Sequence, residues 1–373
     1  MMANQSSDIV IVGGGVIGLS LAYRLALEKA SVTVLEKGQI GQEASIAGAG
    51  ILAPQAEMDQ MSPLTELCVA SRSLYAGFVQ EFVSRTGLDI EFSKSGLLYV
   101  ALSETEQIEL GKRYQWQRKF GLLVHQLTRQ EALQVESGLS PEVRAALFFP
   151  EEAYVDNVRL LEALKIACGL LQVRLVTGCQ ATSIKSEGPR IKGVNTNLGL
   201  WAAEKVIIAA GCWSSMIDSP LPYKVPIKPA RGQLIAVKPP ALFLKHIVYS
   251  ANGYLVPRRD GRVFLGSTVE WVGYDKNVTL EGLHHIIFWT LAIFPEMKSF
   301  AFSSCWAGLR PYCEDGVPVL GSAEIEGLYF ATGHFRNGLL LAPITAKLMT
   351  DLIITEKLPK LLESFSPTRF KPN

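Results

Sequence analysis

Three closely spaced glycines near the N-terminus constrain the fold of this chain more than any other feature. They stand in the stretch DIVIVGGGVIGLSLAYRLALEKASVTVLEKG, as Gly13, Gly15 and Gly18. The β-branched residues before them predict a buried strand over 8–12, and the apolar positions after them recur with the period of a helix. The segment SVTVLE then predicts a second strand. This order is that of a complete βαβ unit, which predicts a parallel sheet at the start of the chain.

The three glycines are spaced as in a dinucleotide-binding turn. The first turns the chain, the second lets the backbone approach a pyrophosphate, and the third lets the helix pack closely, while the helix N-terminus offers N–H groups to the phosphates. Glu36 ends the second strand about 20 residues further on, where a ribose-binding carboxylate is expected. A glycine-rich turn without a nucleotide is the alternative. The N-terminal position of the motif, and the lack of a second one, favour FAD with an oxidant other than NADP.

Composition excludes several classes of function. The 373 residues are enough for about two domains, and 48% hydrophobic with 19% charged residues indicates a globular protein. The 36 basic and 35 acidic residues give a net charge of +1, and no basic run is interleaved with aromatic residues. We therefore expect no nucleic acid partner.

The cysteines and the apolar runs indicate the cellular compartment in which the protein is expected. Six cysteines are scattered, with no Cys-x-x-Cys pair and no histidine at a spacing typical of zinc sites. We interpret them as reduced core thiols of a cytoplasmic protein and expect no metal. The N-terminal apolar run is interrupted by glycines and no Lys or Arg precedes it, so no signal peptide is expected. Other apolar stretches fall short of the about 20 residues that cross a bilayer, so no membrane partner is expected.

Capping signals and periodicity place the remaining elements. Ser62 before Pro63 predicts a helix start, and Ser103 with Glu106 predicts a capping box. The segment VIIAAG is apolar on both faces, as in a parallel sheet. Further helices are predicted over 157–170, about 280–295 and about 339–355, strands at GQLIAV, GYLVP, RVFLGST and LYFAT, and a loop of small residues, suited to close approach of a flat ring, over 41–54.

The sheet that begins the chain is completed near its end, so the domains are expected to be interwoven. We predict an α/β (α+β) fold in which a Rossmann-like FAD-binding domain, residues 1–88, 152–223 and 307–373, is interwoven with a mixed-sheet substrate domain, residues 89–151 and 224–306.

The stretch ATGHFRNGLLLAP, residues 331–343, places a charge in a glycine turn before an apolar helix. A second helix N-terminus is thus predicted to point at the nucleotide. Arg336 lies in this turn. A surface turn would hold it without function, whereas near a flavin its charge and the helix dipole would stabilise the reduced ring.

Arg310 is the second arginine of interest, in WAGLRPYCEDGVPVLG. Pro311 biases it to an extended conformation, and its neighbours are apolar, so its guanidinium either pairs with a carboxylate such as Asp315 or faces a ligand anion. An arginine fork matches the carboxylate of an amino or hydroxy acid. Tyr254 is a candidate to donate its phenol to the same carboxylate, although a tyrosine on a strand is more often structural.

Acid–base and nucleophile pairs are missing from the sequence. The histidines form no cluster and there is no G-x-S-x-G motif. A flavin can take a hydride from the α-carbon of an amine whose nitrogen is neutral, so the protein needs only to position the substrate, exclude water and stabilise the reduced ring. No catalytic carboxylate is required on this interpretation.

Several motifs together resemble those of one family. IVIVGGGVIGLSLAYRL, SIAGAGILAP, VIIAAGCWS, GYLVPRRDGRVFLGST, WAGLRP, DGVPVLG and GHFRNGLLLAP occur in this order. They resemble the D-amino acid oxidase and sarcosine oxidase group of flavoenzymes, and within it most closely the glycine oxidase branch of thiamine biosynthesis. The likeness spans essentially the whole chain.

The resemblance implies oxidation of glycine and related small amines, such as sarcosine and D-alanine, to an imine that hydrolyses to a 2-oxo acid and ammonia. Oxygen would reoxidise the flavin and give hydrogen peroxide. It implies that Arg310 holds the substrate carboxylate with Tyr254 beside it, and that Arg336 lies next to the amine and flavin with its main-chain carbonyl facing the amine. It also implies a homo-oligomer, often a homotetramer, whose imine passes to a thiazole synthase.

By the same resemblance the FAD is bound by residues of the fingerprint, the small-residue loop and the C-terminal glycine turn. These are Gly13, Gly15, Val16, Ile17, Gly18, Glu36, Lys37, Ala44, Ser45, Ala49, Gly50, Ile51, Ala181, His334, Phe335, Arg336, Asn337, Gly338, Leu339 and Leu340.

The chain departs from the family pattern at two places. Ile51 stands where a methionine can line the active site, and Asn252 and Gly253 precede Tyr254 where bulkier residues occur, so pocket access and substrate preference can differ. Cys313 does not match the attachment site of a covalent flavin, and we expect non-covalent FAD.

Two rival functions stay open at this point. One is a dehydrogenase that passes electrons to a quinone, against which the lack of a basic amphipathic helix argues. The other is a flavin-binding protein without turnover. The sequence does not rank glycine, sarcosine and D-alanine, because one methyl group in a pocket changes specificity by only about 1 to 3 kcal/mol.

Overall fold

A computed structural model describes residues 5–241 and 244–372 of the chain. Its helices are α1 (Val16–Leu27), α2 (Ala44–Ala47), α3 (Pro54–Glu57), α4 (Pro63–Thr86), α5 (Glu104–Lys119), α6 (Arg129–Val135), α7 (Asn157–Leu170), α8 (Leu280–Ile293) and α9 (Gly338–Thr355). Single turns of 3-10 helix are Gly211–Met216, Pro295–Ser299, Phe335–Asn337, Lys360–Phe365 and Pro367–Phe370.

The strands of the same residues are mostly short, and the longest are β11, β12 and β16. They are β1 (Ser6–Val12), β2 (Val32–Leu35), β3 (Ile51–Leu52), β4 (Leu97–Ala101), β5 (His125–Thr128), β6 (Ala145–Phe149), β7 (Ala153–Tyr154), β8 (Arg174–Val176), β9 (Ala181–Glu187), β10 (Arg190–Thr196), β11 (Gly199–Ile208), β12 (Ile227–Lys238), β13 (Ile247–Tyr249), β14 (Tyr254–Pro257), β15 (Val263–Gly266), β16 (Ala301–Cys313), β17 (Val319–Ser322) and β18 (Leu328–Thr332).

The first large sheet contains the predicted βαβ unit. Its order is β17-β18-β11-β1-β2-β8, with β10 and β9 continuing from β11. β1 pairs in parallel with β2 and β11, and β18 pairs in parallel with β11, so strands from both ends of the chain share one sheet. The segment around Ile207 is therefore buried on both faces, as its sequence predicts.

Helices α1, α4, α7 and α9 cover one face of this sheet. α4 begins as predicted, because the Ser62 side chain accepts a hydrogen bond from the Thr65 amide and Pro63 takes the first helical position. The predicted capping box of Ser103 and Glu106 is also present at the start of α5. Local capping thus fixes where these helices begin.

The second large sheet is mostly antiparallel, in the order β16-β12-β15-β14-β13-β4-β6-β5. α8 packs on one face with Ile286 and Ile293 buried. The opposite face carries Tyr249, Tyr254 and Trp306 and is turned toward the functional region described below. The predicted α/β (α+β) fold is confirmed. The domain boundaries assigned from sequence stay a prediction, and β16 crosses the one at 306/307.

The loop of small residues predicted over 41–54 is only partly a loop. Residues of this segment form α2 and β3, and α3 begins at its end. β3 pairs with β7, which gives the small residues a fixed backbone path instead of a mobile one. α2 packs on β16 so closely that a Cβ atom added to Gly308 would lie 2.4 Å from the Ala47 Cβ atom.

The segment Phe335–Thr355, which includes α9, is long and apolar enough to cross a membrane by length and composition alone. However, 72% of its apolar 18-residue window is buried, and α9 packs against α1 and α4. It is the core helix of the first sheet.

Arg258 joins the two sheets in the interior. It follows β14, its side chain is buried, and its guanidinium pairs with Asp156, the N-cap of α7. It also donates to the carbonyl oxygens of Ala49 and Val155 and lies 4.8 Å from the centroid of the Phe264 ring. A buried charge with these partners fixes the second sheet against the segment that precedes α7.

Replacing Arg258 should therefore destabilise the fold strongly. We expect Arg258→Met to lower the free energy of unfolding by about 3 kcal/mol or more, because Asp156 loses its partner in a largely buried position. Arg262→Met, in the same hairpin but paired with the exposed Asp260, should cost about 1 kcal/mol or less. Urea unfolding of both variants measures this, and equal losses would contradict the assignment.

Candidate active site

Two cavities meet at the junction of the two large sheets. The first, ≈ 320 Å³, lies at the carboxyl ends of β1, β2 and β11, the edge at which such sheets bind ligands. The second, ≈ 460 Å³, lies against the face of the second sheet. Residues lining both are Ala44, Gly48, Arg310, Arg336 and Leu339. A ligand extending from the first cavity would therefore reach the second near the two arginines.

The glycine turn has the close backbone approaches that a pyrophosphate site requires. Gly13 has φ +112°, and a Cβ atom there would lie 2.4 Å from the Ala209 carbonyl oxygen. A Cβ atom on Gly18 would lie 1.9 Å from the carbonyl oxygen of Gly13, so this glycine seats α1 on the turn. Gly15 is the N-cap of α1 and has no side chain to close the helix end. The turn is thus formed as the sequence predicts.

Glu36 lines the first cavity where the ribose was predicted. Its two oxygens accept hydrogen bonds from the amides of Gly14, at 2.8 Å, and Gly38, at 2.9 Å. A carboxylate has about four acceptor positions, so about two are left for ribose hydroxyls. Next to it, the Lys37 Nζ atom lies 3.2 Å from the centroid of the Trp213 ring, and burial lowers the pKa of Lys37.

The C-terminal glycine turn brings a second helix N-terminus to the cavities. α9 begins at Gly338, and its N-cap, Asn337, makes no side-chain capping bond. His334 in the turn is buried beside the Thr345 hydroxyl, and burial lowers its pKa to about 3, so the imidazole is neutral at pH 7. The helix dipole and Arg336 are then the positive groups of this turn.

The cofactor residues named from sequence divide between the cavities. Gly13, Gly15, Val16, Ile17, Glu36, Lys37, Ala44, Ser45, Ala181, His334, Phe335, Arg336, Gly338 and Leu339 line the first. Ala49, Gly50, Ile51 and Asn337 line the second. Gly18 lies behind the turn, and Leu340 faces the core, where its carbonyl oxygen accepts from the Ser71 hydroxyl. Their individual contacts with a cofactor stay predictions.

Arg310 faces the second cavity without a carboxylate partner among the described residues. Its guanidinium donates to the carbonyl oxygen of Thr268, at 3.0 Å, and to the Ser267 hydroxyl, at 2.8 Å. Asp315, the alternative partner considered from sequence, instead pairs with Arg369. Burial lowers the pKa of Arg310, and an anion in the cavity would offset that cost of desolvation.

A glycine on the neighbouring strand makes room for this guanidinium. Gly232 of β12 lies under it, and a Cβ atom at that position would be 2.1 Å from the Arg310 Nη1 atom. Sequence reasoning did not single out Gly232, because only the register that pairs Ala230 with Arg310 brings it under the side chain. The arginine is therefore held flat along the sheet and not extended into solvent.

Tyr254 lies in the same cavity, as predicted, and a second glycine seats its ring. Gly266 pairs with Tyr254 across β14 and β15, and a Cβ atom there would lie 2.6 Å from the ring. Burial raises the pKa of Tyr254, so its hydroxyl stays protonated and able to donate to a carboxylate. Its ring stacks on Tyr249, with centroids 5.3 Å apart.

Glu57 is a cavity residue that sequence reasoning missed. It ends α3, it lines the second cavity, and its Oε1 atom accepts a hydrogen bond of 2.5 Å from the Tyr249 hydroxyl. Its Oε2 atom lies 3.3 Å from Arg336 Nη1. The Arg336 side chain thus pairs with a carboxylate at the junction of the cavities.

The positions at which the chain departs from its family also lie here. Ile51, Asn252 and Gly253 line the second cavity, so they are placed to affect access and preference. Cys313 is fully buried, and burial raises its pKa to about 12, which keeps the thiol protonated. Among the described residues, no three His, Cys, Asp or Glu side chains are grouped to hold a metal ion.

Comparisons with known proteins agree with this geometry. A family model described as FAD dependent oxidoreductase matches residues 8–352. Glycine oxidase of Geobacillus kaustophilus is 34% identical over 365 residues, which cover 97% of this chain and 97% of that protein. The bifunctional protein ThiO/ThiG of a Synechocystis species is 34% identical over 98% of this chain, and the match spans 54% of that protein.

A solved structure extends the agreement to the fold. The crystal structure of glycine oxidase from Geobacillus kaustophilus matches with a TM-score of 0.94 and 33% identity, covering 98% of this chain and 99% of that one. Together with the uncapped helix N-termini, the glycine turn and Glu36, the residues of the first cavity fit a dinucleotide.

The glycine turn provides a direct test of that fit. Gly13→Ala should weaken FAD binding by about tenfold or more, because the new methyl group meets the Ala209 carbonyl and the residue has positive φ. Gly77→Ala, in the open middle of α4, is the matched control and should leave FAD affinity unchanged. Titration of the apoproteins with FAD measures both. Unaltered affinity of the Gly13 variant would contradict the assigned site.

Proposed function

The chain belongs to the FAD dependent oxidoreductase family, and we propose that it oxidises glycine and related small amines, such as sarcosine and D-alanine, with oxygen as electron acceptor. The products are an imine, which hydrolyses to a 2-oxo acid and ammonia, and hydrogen peroxide. The observation that carries the proposal is the partly buried guanidinium of Arg310, which faces the second cavity with no carboxylate partner among the described residues.

Arg310 and Tyr254 would bind and orient the substrate carboxylate. The guanidinium fork offers parallel N–H donors, and the protonated phenol adds a third donor from β14 of the same sheet. Both side chains are held by the sheet and by the glycines beneath them, so little freedom is lost on binding. A carboxylate held by Arg310 would place the α-carbon near the junction with the first cavity, since Arg310 lines both cavities.

FAD, when bound, supplies a hydride acceptor at this junction and returns the electrons to oxygen. Residues around the glycine turn and Glu36 would hold its nucleotide end, and those around Gly338 would hold the opposite end. The N-terminus of α9 and Arg336 would supply positive charge to stabilise the reduced cofactor. The predicted contact of the Arg336 main-chain carbonyl with the amine is part of this proposal.

The cellular setting is also proposed. The fold is that of a soluble enzyme, and we propose that the protein is cytoplasmic and supplies the imine to a thiazole synthase. The Synechocystis relative, whose name joins ThiO and ThiG, supports that link. Failure to form thiazole from glycine when the protein is combined with a thiazole synthase would contradict it, and recovery in a membrane fraction would contradict the location.

We further propose a homo-oligomer, with a homotetramer as the expected form. It is supported by large apolar side chains that are exposed on α8 and on the segment before it, Val269, Trp271, Val272, Leu280, Ile287 and Phe288. Apolar surface of this kind marks contact sites in soluble proteins. A monomer in sedimentation experiments would contradict this.

Removing the guanidinium tests the proposed function. Arg310→Ala should lower kcat/KM for glycine on the order of a hundredfold, chiefly through KM, because two charge-assisted hydrogen bonds to the carboxylate are lost. Arg259→Ala, at an exposed arginine paired with Asp89, is the control and should behave as the wild type. Peroxide release under steady-state conditions measures both. An unchanged KM in the Arg310 variant would refute the carboxylate site.

The glycine beneath Arg310 gives a test that leaves the charge in place. Gly232→Ala should raise KM for glycine, because the added methyl group displaces the guanidinium from the cavity. FAD content should stay at the wild-type level, since Gly232 lines only the second cavity. Gly169→Ala, at an open position of α7, controls for a glycine replacement elsewhere. A wild-type KM would show that the position of Arg310 is not what binds substrate.

A further inference from the structure

The second cavity carries charges of opposite sign at separate positions. Arg310 and Tyr254 form one position, a cation with a neutral phenol. Glu57 forms another, on α3, and the stacked ring of Tyr249 lies between them, since Tyr249 bonds to Glu57 and stacks on Tyr254. A small amino acid carries a carboxylate and an amino group. The cavity therefore has one position for each group.

Glu57 retains hydrogen-bonding capacity toward the cavity. An ionised carboxylate accepts at about four positions, and Glu57 uses one for the Tyr249 hydroxyl and one for Arg336. Burial raises the pKa of Tyr249 well above its usual range, so the phenol stays a donor to this carboxylate. The Arg336 side chain is 44% exposed and donates to Glu57 Oε2 at 3.3 Å. About two acceptor positions are left for a ligand.

The short helix that carries Glu57 is held by a buried polar network. Two residues before Glu57, the Gln55 amide donates to Glu152, and the Gln55 side chain bonds to Gln117, at 2.9 Å, and to Arg72, at 2.6 Å. Arg72 also pairs with the fully buried Glu152, at 2.7 Å. A network of this kind fixes one conformation, so the Glu57 carboxylate is pre-positioned before any ligand enters.

We propose that Glu57 recognises the amino group of the substrate by accepting its N–H hydrogen bonds, and thereby selects amino acids over hydroxy acids of the same size. The inference rests on the proposed function and deepens it. Arg310 binds the carboxylate, which both classes share. Glu57 contacts the position at which an amino acid has an amino group and a hydroxy acid has a hydroxyl.

Glycine and glycolate separate the two roles, because they differ only in an amino group against a hydroxyl. In Glu57→Gln we expect KM for glycine to rise on the order of tenfold to hundredfold, the loss of a charge-assisted hydrogen bond. The inhibition constant of glycolate against glycine should change far less, because its carboxylate contact is intact. Steady-state peroxide release by the holoenzyme gives both constants, and FAD content is checked for each variant.

Asp59→Asn is the matched control. Asp59 also lines this cavity, but its side chain is 87% exposed and pairs with Arg113. The Asp59→Asn substitution removes one negative charge, as Glu57→Gln does, but from an exposed side chain. We therefore expect the ratio of the KM for glycine to the inhibition constant of glycolate to stay close to that of the wild type. Equal weakening of glycine and glycolate by Glu57→Gln would show that Glu57 only shapes the pocket and would overturn the inference. So would an unchanged ratio.

Two further variants keep the test decisive if Glu57→Gln loses FAD. Glu57→Asp retains the charge on a shorter side chain and should recover part of the preference for glycine. Tyr249→Phe keeps the carboxylate but removes its donor, so it should shift the ratio in the same direction by a smaller factor. If Tyr249→Phe leaves the ratio at its wild-type value, the inference is wrong. Absence of peroxide from glycine in the wild type would instead defeat the proposed function.

Discussion

A partly buried guanidinium without an internal carboxylate is the constraint on which the site depends. Transfer of a charge from water into a protein is costly unless it is paired, and Arg310 has only a carbonyl and a hydroxyl as partners among those described. The fold accommodates it by placing Gly232 and Gly266 under the Arg310 and Tyr254 side chains. A ligand carboxylate would pair with this guanidinium and offset its desolvation. The site therefore favours ligands that carry a carboxylate over ligands that do not.

The two sheets present different kinds of groups to a ligand. The parallel sheet presents backbone N–H groups at the ends of its strands, which suits phosphates and needs glycine where backbones approach closely. The antiparallel sheet presents side chains on its face, which suits recognition of a small polar molecule. β16 carries Arg310 from the second sheet to the first cavity, and the turn before α9 carries Arg336 to the second. Arg310 and Arg336 both line the junction of the cavities because both elements reach it.

The sequence predicted the glycine turn and the position of Glu36 at its edge, because both are set by residues close together in the chain. Gly13, Gly18 and Glu36 act within one βαβ unit, and spacing along the chain is sufficient to identify them. Arg310 was left between two partners, since the choice depends on where the fold places Asp315, which pairs with Arg369 some 54 residues away. Glu57 was missed altogether, because its partners Tyr249 and Arg336 are 192 and 279 residues distant. Contacts of that range have no periodic signature.

The most direct test of whether this protein oxidises glycine is to mix the purified holoprotein with glycine anaerobically while its visible flavin absorbance is recorded. We expect glycine to bleach the flavin in the absence of oxygen. Oxygen admitted afterwards should restore the absorbance and yield hydrogen peroxide in an amount equal to the flavin that had been reduced. Sarcosine, D-alanine and D-proline, mixed separately, would rank the substrates. Flavin that no small amine reduces, or that a quinone reoxidises while oxygen does not, would contradict the assignment of this site to an amine oxidase.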